Sequence, residues 1–414
     1  MYIQIHLLRA NINHNLNADI TGRPKTSDLN GSLRGRFSSQ SMKRNLRVRT
    51  EDDLGLNKED KSFRTLLFFK EALITQMEQD RFLSLNKTRA KALYVIALKS
   101  LPSAKEDSKE AVETEDVSPY ADLPDHIQEI YASVDALGIA AVFLSGYELS
   151  YWDKYLTSVF NSYYDALEDE DSENPTKDDY KSLSFTSIMD ELYESDKDVK
   201  IALSIALFGR MFASNQALNV DGALYMSNAV TINKVLIEED FFTLVDDLKK
   251  DSSGAAHLGS KSFTSGVYYT HVVIDVDHLV GLVLGDSPTQ EEKYNFIIEL
   301  EGVVAGVIKH TNPTGQEHGF ASFNLADYAA CEVGEDQPNS CSNAFLLPVS
   351  SRSNILADGV QKLEDMLLKT QKLYSKTSSF FVLNLTDYDS DLPCSESLDS
   401  LKKDVVKAAL LPGQ

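Results

Sequence analysis

The chain has 414 residues, 43% of them hydrophobic and 25% charged, and a formal charge of −23 at pH 7. That length supports two or three structural units with real cores, and the acidity argues against indiscriminate binding of nucleic acid. No apolar run reaches the roughly 18–20 residues of a membrane span, and Met1-Tyr2-Ile3-Gln4-Ile5-His6 lacks a signal peptide's layout. Cys331, Cys341 and Cys394 show no CxxC spacing, so neither a disulfide framework nor a structural zinc site is expected. A cytoplasmic protein without membrane partner is the simplest expectation.

The charge is segregated along the chain. Residues 1–49 hold nine Lys and Arg, Arg9, Arg34 and Arg36 among them, against Asp19 and Asp28, a local excess of seven positive charges. The acid is densest at Glu168-Asp169-Glu170-Asp171-Ser172-Glu173. Exposed charges more than about 10 Å apart are largely screened at 0.1 M salt, so one basic patch can still bind a polyanion. The acidic run reads as a solvated face, with repulsion of the wrong nucleic acid as the alternative.

Residues 2–8 alternate, Ile3, Ile5 and Leu7 against Tyr2, Gln4 and His6, which predicts a half-buried strand. An asparagine-rich segment from Asn11 to Asn17 and the turn Thr21-Gly22-Arg23-Pro24-Lys25 predict a loop, which continues to Arg34 and Arg36. A helix then starts at Ser38-Ser39-Gln40-Ser41-Met42-Lys43-Arg44-Asn45-Leu46-Arg47. Its serines offer N-cap oxygens, and Met42 and Leu46 form one apolar stripe. Lys43 and Arg47 share a neighbouring face, with Gln40 and Arg44 on the next. A helix N-terminus carrying cations suits phosphate; the alternative is a solvated basic helix.

From Phe63 to Tyr193 the spacing predicts a helical insertion, broken by acidic loops at 105–125 and 168–180. Val199 to Phe212 favours a strand from its β-branched content and closing Gly209-Arg210, with a helix left open. Asp221-Gly222 marks a turn, and Phe241-Phe242 opens a predicted helical segment between loops. Ser252 to Gly259 reads as a small-residue loop, Gly266 to Asp275 as a strand, Gln290 to Lys309 as a helix and Gly319 to Leu325 as a short alternating strand. The tail from Asn354 reads as helix, a strand containing Val382, and a closing segment. No repeat of 20–50 residues is seen. The order predicts an α+β fold of the ferredoxin-like kind rather than a doubly wound α/β sheet.

The chain carries no GxxxxGK[ST], HExxH, GxSxG or strand-borne GxGxxG motif. His257 sits in a Gly/Ala loop that favours a local backbone bond, and His310 and His318 flank a turn without nearby ligands. Asp246-Asp247 on a helix would point about 100° apart, as surface or cap residues. No cofactor or metal is expected. Adjacent Phe241 and Phe242 cannot easily share one core, so one is either a stacking surface for bases or buried at an element boundary.

Four ordered stretches carry a resemblance. They are Phe37 to Arg44; Gly209-Arg210-Met211 with Val220-Asp221-Gly222-Ala223; Phe242 to Leu248 with Ala256-His257-Leu258-Gly259 and Phe263 to Tyr268; and Ala321-Ser322-Phe323-Asn324 with Asn343-Ala344-Phe345. The chain resembles the CasC-type backbone subunit of the type I-E CRISPR Cascade complex, in the RAMP superfamily. The resemblance implies a ferredoxin-like, RRM-like palm with a helical fingers insertion and a protruding thumb. Palm would be 1–62, 199–234 and 267–414, fingers 63–198 and thumb 235–266. It also implies a non-enzymatic protein that polymerises along CRISPR guide RNA (crRNA) and presents bases to a target DNA strand, beside further copies of itself and other Cascade subunits. Carried over, Ser38, Ser39, Gln40, Lys43, Arg44 and Arg47 would hold RNA phosphates, Met211 would pack against bases, and Phe242 and Thr243 would sit at a kink. This chain departs from the family in having Asn228 and Asn233 where histidines are frequent, Ala18 where an arginine is frequent, and acid between Asp165 and Asp198. The rival expectations are a RAMP-type metal-dependent ribonuclease using Asp221 or Asp246, and a plain single-strand RNA-binding protein.

Overall fold

The computed structural model describes residues 1–102, 122–137, 141–168, 175–176, 179–180, 183–195, 201–212, 216–244, 257–285, 287–350, 352 and 354–410. The chain divides into two compact units, Met1–Gly55 with Gly222–Gln414, and Leu56–Asp221. The first unit opens with β1 (Tyr2–His14), β2 (Thr26–Leu29), β3 (Ser32–Phe37) and α1 (Ser39–Asp53). The second unit contains β4 (Ser62–Thr65), α2 (Leu67–Met77), α3 (Asp80–Leu83), α4 (Lys87–Lys99), α5 (Asp125–Asp135), β5 (Val142–Ser145), α6 (Gly146–Glu168), α7 (Phe185–Ser195) and α8 (Leu203–Phe208). The first unit resumes with β6 (Leu224–Met226), β7 (Ala229–Thr231), β8 (Glu238–Leu244), β9 (His257–Asp275), α9 (Val276–Leu284), α10 (Gln290–His310), α11 (Glu317–Phe320), β10 (Tyr328–Gly334), α12 (Ile355–Leu373), β11 (Ser379–Asn384) and α13 (Leu398–Leu410).

The sheet of the first unit runs β11-β10-β1-β9-β7-β3-β2, with β6 and β8 also paired to β9, every pair antiparallel. Within it, β1-α1-β6-β9-α10-β10 has the spatial order β10-β1-β9-β6. That is the split βαβ order of the ferredoxin and RNA-recognition folds, so the expected RRM-like α+β class holds. Its two helices, α1 and α10, meet closely because Gly302 and Gly306 leave room for Leu54 and Thr50. A capping box of Thr289 and Glu292 starts α10. The buried Arg9 guanidinium stops it, donating to the Ile308 carbonyl at 2.6 Å and to that of Thr311.

β1 is a strand, as its alternation predicts, but it is buried on both faces and runs through the asparagine-rich segment to His14. Leu8 packs with Tyr269, Tyr328 and Val382 beneath α12. On that same face Gln4 and His6 enter a buried polar network. His6 stacks on His271 with centroids 4.5 Å apart and meets the Tyr269 hydroxyl at 2.9 Å through Nδ1. Glu332, 3.9 Å from His6 Nε2, accepts from Ser378 at 2.8 Å and pairs with Lys376 at 3.3 Å. Alternation cannot distinguish water from such a network as the partner of a polar side chain.

Other expectations fail for local reasons. Arg34 and Arg36 lie on β3, and Arg34 is buried, donating to the carbonyls of Thr231 at 2.7 Å and Phe345 at 3.0 Å. The expected strand near 199–212 is helix α8, whose Ser204, Ile205, Ala206 and Leu207 are all buried and so hide the helical period. Gly209 ends it with φ of 75°. Phe241-Phe242 opens no helix; both lie on β8, paired to β9 from Glu238–Phe263 to Leu244–His257. Gly319 to Leu325 is no strand: α11 turns there and Ala321 stops it in the left-handed region with φ of 49°. His310 meets the Asp53 carboxylate at 2.9 Å. Most of the acidic breaks, with Asp246-Asp247 and 252–256, lies outside the described residues.

Valine in place of Gly306 would drive its side chain into Thr50 and part α1 from α10. Gly306→Val is expected to destabilise the first unit by about 1–3 kcal/mol, read as a lower urea midpoint. A second expectation follows from the histidines. Burial lowers the His6 pKa, that of His14 to about 4 and that of His271 to about 2, with His6 and Lys376 adding to the last. The unfolded chain takes up these protons first, near pH 6.5. Stability present above that pH is therefore lost as it falls toward about 4 and below, at up to about 1.4 kcal/mol per pH unit for each histidine. Urea midpoints should drop between pH 7 and 5; a flat profile would show that these imidazoles are not held neutral.

Candidate nucleic-acid interface

Single-stranded RNA on an RNA-recognition fold ordinarily stacks on the open sheet face. Here α12 and the segment around Phe345 and Val349 close that face over β1, β9 and β10. Among the polar surfaces of the first unit are the outside of α1, the β8–β9 hairpin and the loop that follows β1.

α1 turns Met42, Leu46 and Thr50 into the core, which leaves Gln40 and Arg44 exposed. Ser38 is the N-cap residue, yet its side chain makes no capping bond. Its backbone N–H goes to Asn17 Oδ1 at 2.9 Å, and that of Ser39 to Asn228 Oδ1 at 3.0 Å. Two asparagines therefore hold the helix entrance, and anion binding there falls to side chains more than to these amides. Lys43 is drawn inward to the Leu224 carbonyl at 3.1 Å, and burial lowers its pKa. Arg47 pairs with Glu51 at 3.3 Å. Asn45 reaches across to the carbonyls of His310 and Asn312 at 3.0 and 2.9 Å. The six candidate residues at 38–47 thus share one helix start, with Gln40 and Arg44 facing outward and Lys43 and Arg47 on a flank.

Phe242 and Thr243 sit together on β8 but on opposite faces, as strand periodicity requires. Phe242 lies over Gly259, its direct partner, where a Cβ would collide with the ring. The Lys261 ammonium stands 5.7 Å from the same ring's centre. Phe241, on the other face, is 66% exposed. Met211 belongs to the second unit, where it is 84% exposed. Its presentation has a local cause. Gly209 ends α8, and Arg210 turns into the core to pair with Glu148 at 2.5 Å and to donate to the Leu218 carbonyl at 2.9 Å. Met211 follows outward.

Sequence reading missed a cleft of about 520 Å³ lined by Asn15, Arg23, Glu239, Lys261, Ser262 and Gln316 among others. The loop from Ala18 to Pro24 closes on itself, with Asp19 accepting from Thr21 and Arg23, and it holds Arg23 2.5 Å from Glu239. The basic turn containing Arg23 was visible in the sequence. Its meeting with β8 and β9 was not, because those residues lie more than two hundred positions away. Among the described residues no three His, Cys, Asp or Glu side chains gather as a metal site, and no helix is long and apolar enough to cross a membrane.

Solved structures share the fold, among them two chains aligned over nearly their full length. A chain titled "CRISPR RNA-guided surveillance complex, pre-nicking" aligns with a TM-score of 0.72 at 22% identity, over 99% of this chain and 100% of that one. A second, titled "CRISPR RNA-guided surveillance complex", aligns at 0.57 with 19% identity and the same coverage. No curated protein sequence matches. The profile of the family described as CT1975-like protein matches residues 3–404, and the chain belongs to that family.

Proposed function

We propose that this chain is the guide-RNA-binding backbone subunit of a CRISPR RNA-guided surveillance complex. The observation that carries the reading is the outward polar and cationic start of α1, in an RRM-like unit whose usual RNA face is closed. Full-length likeness to chains from such complexes supports it. The palm is 1–62, 199–234 and 267–414, the fingers 63–198 and the thumb 235–266. Ser38, Ser39, Gln40, Lys43, Arg44 and Arg47 contact RNA phosphates, Phe242 and Thr243 mark a kink at the thumb, and Met211 packs against bases. Copies polymerise along the guide beside other Cascade subunits in the cytoplasm. Base pairing to the target DNA strand then reads sequence, while the protein reads the backbone and performs no chemistry.

Co-expression with a guide RNA and neighbouring subunits is expected to yield a stoichiometric particle holding one defined guide. A Lys43→Ala/Arg47→Ala variant should lose or shorten that RNA; random RNA in the wild-type particle would point to a plain single-strand binder. For the isolated chain, Arg44→Ala should weaken all RNA sequences alike. The slope of log K against log salt should fall by about 0.7 for the lost phosphate contact. Phe242→Ala should cost about 1–3 kcal/mol of RNA affinity with the salt slope unchanged, because a stacked base is lost rather than an ion pair.

A further inference from the structure

The segment that follows β6 lies along one face of α1, and two hydrogen bonds fix it there. Lys43 Nζ donates to the Leu224 carbonyl at 3.1 Å, and the Ser39 N–H donates to Asn228 Oδ1 at 3.0 Å. Ser39 and Lys43 are four residues apart, so they share the α1 face that continues to Arg47. Asn228 therefore stands beside the face that carries the candidate phosphate ligands. Its own backbone is held on both sides. The Ser227 N–H donates to the His271 carbonyl at 2.9 Å, and the Ser227 Oγ accepts from the His271 N–H at 3.0 Å. Ala229, on the other side, pairs with Phe37 between β7 and β3. Ala229 is buried, and Asn228 is exposed.

The bond to Ser39 decides which end of the amide faces out. Only the carboxamide oxygen can accept an N–H, so Oδ1 is spent on the helix, and Nδ2 keeps both hydrogens without a partner among the described residues. Exchanging the two ends would set N–H against N–H, which fixes the orientation. The Ser39 N–H also polarises the carboxamide and makes Nδ2 a stronger donor. Asn228 thus presents a pair of exposed donors, on a rigid backbone, next to the Lys43 and Arg47 face. Hydrogen bonds from such donors to an ionised oxygen are stronger than those to a neutral one.

We propose that Asn228 is a further phosphate ligand: its Oδ1 positions Ser39 at the start of α1, while its Nδ2 donates to an RNA phosphate oxygen beside Lys43. The inference rests on the guide-RNA reading above and adds to it a ligand from outside α1.

The test uses the full chain and one single-stranded RNA of mixed sequence. Asn228→Asp keeps an oxygen for the Ser39 N–H and exchanges the outward donor for a second oxygen, so it separates holding the helix from holding phosphate. Its urea midpoint should equal or exceed that of wild type, because a carboxylate is favoured at a helix start. Its RNA affinity should fall roughly tenfold or more, and the deficit should persist at high salt, where the carboxylate is in contact with the phosphate it repels. Asn228→Ala should also weaken RNA severalfold. The slope of log K against log salt should be unchanged in that variant, since no cation is lost. If Asn228 only positions α1, Asn228→Asp should return to wild-type affinity as salt screens a distant charge, and that recovery would overturn the proposal. Wild-type affinity in Asn228→Ala would overturn it too. In both cases RNA binding itself survives. Failure of wild type to bind the RNA would overturn the RNA-binding reading as well.

Discussion

The nineteen residues of β9 pair with β1, β6, β7 and β8, with one register shift against β1 between Asn11 and His14. Its first part forms a hairpin with β8, and its second part lies in the sheet between β1 and β7. A slip of one residue would turn Tyr269 and His271 away from the buried network and set Thr270 and Val272 in their place. The same slip would move Gly259 from beneath Phe242 and leave a side chain where the ring lies flat. Hairpin geometry and core packing are thus fixed by the same pairing. Gly266 sits where the two parts meet, close against Thr231 and Val235, next to the register shift between Asn11 and His14. A bulkier residue there would push β7 and the strand leading to β8 outward.

Charge in the first unit is used in two ways that composition cannot separate. Arg9 and Arg34, both buried, spend their guanidinium groups on carbonyl oxygens, Arg9 at the end of α10 and Arg34 between β7 and the segment at Phe345. They belong to the architecture. Arg44 and Arg49 are exposed, and Arg23 is half-exposed although paired. The excess of basic residues in the first 49 positions therefore overstates the cations that face solvent. A polyanion meeting this surface finds a few fixed positive groups set among amides and hydroxyls. Such a surface favours contacts of defined geometry over bulk attraction, in keeping with an overall charge of −23.

The family and the RRM-like class were legible because ordered motifs and the β-α-β-β-α-β order both survive in one dimension. Periodicity succeeded for α1 and α10, where one side packs and the other meets water. It failed where burial is complete, as in α8, and where a short polar-apolar run suits both periods, as in Glu238 to Leu244. It also failed where alternation has no partner strand, as in Gly319 to Leu325. Asn228 and Asn233 read in the sequence as departures from the family. In the structure Asn228 holds the Ser39 amide, and Asn233 accepts from the Val267 N–H at 3.0 Å, so both support the frame around α1 and β9. The cleft lined by Asn15 and Arg23 left no sequence signal of its own, because its walls come together only on folding.

Closing the sheet face has a consequence for how a nucleic acid can lie on this fold. On an open RNA-recognition sheet, bases stack on strand aromatics and the backbone faces outward. With α12 over β1, β9 and β10, the corresponding aromatic, Tyr269, is a core residue that packs on Phe345 and receives the Cys341 N–H at 3.0 Å. Polar groups instead cluster around the entrance of α1 and the loop after β1, which suit a sugar–phosphate backbone better than base faces. A strand held by its backbone keeps its bases turned away from the protein and available to a complementary strand. On the guide-RNA reading proposed above, the covering of one sheet face would favour reading by pairing over reading by contact.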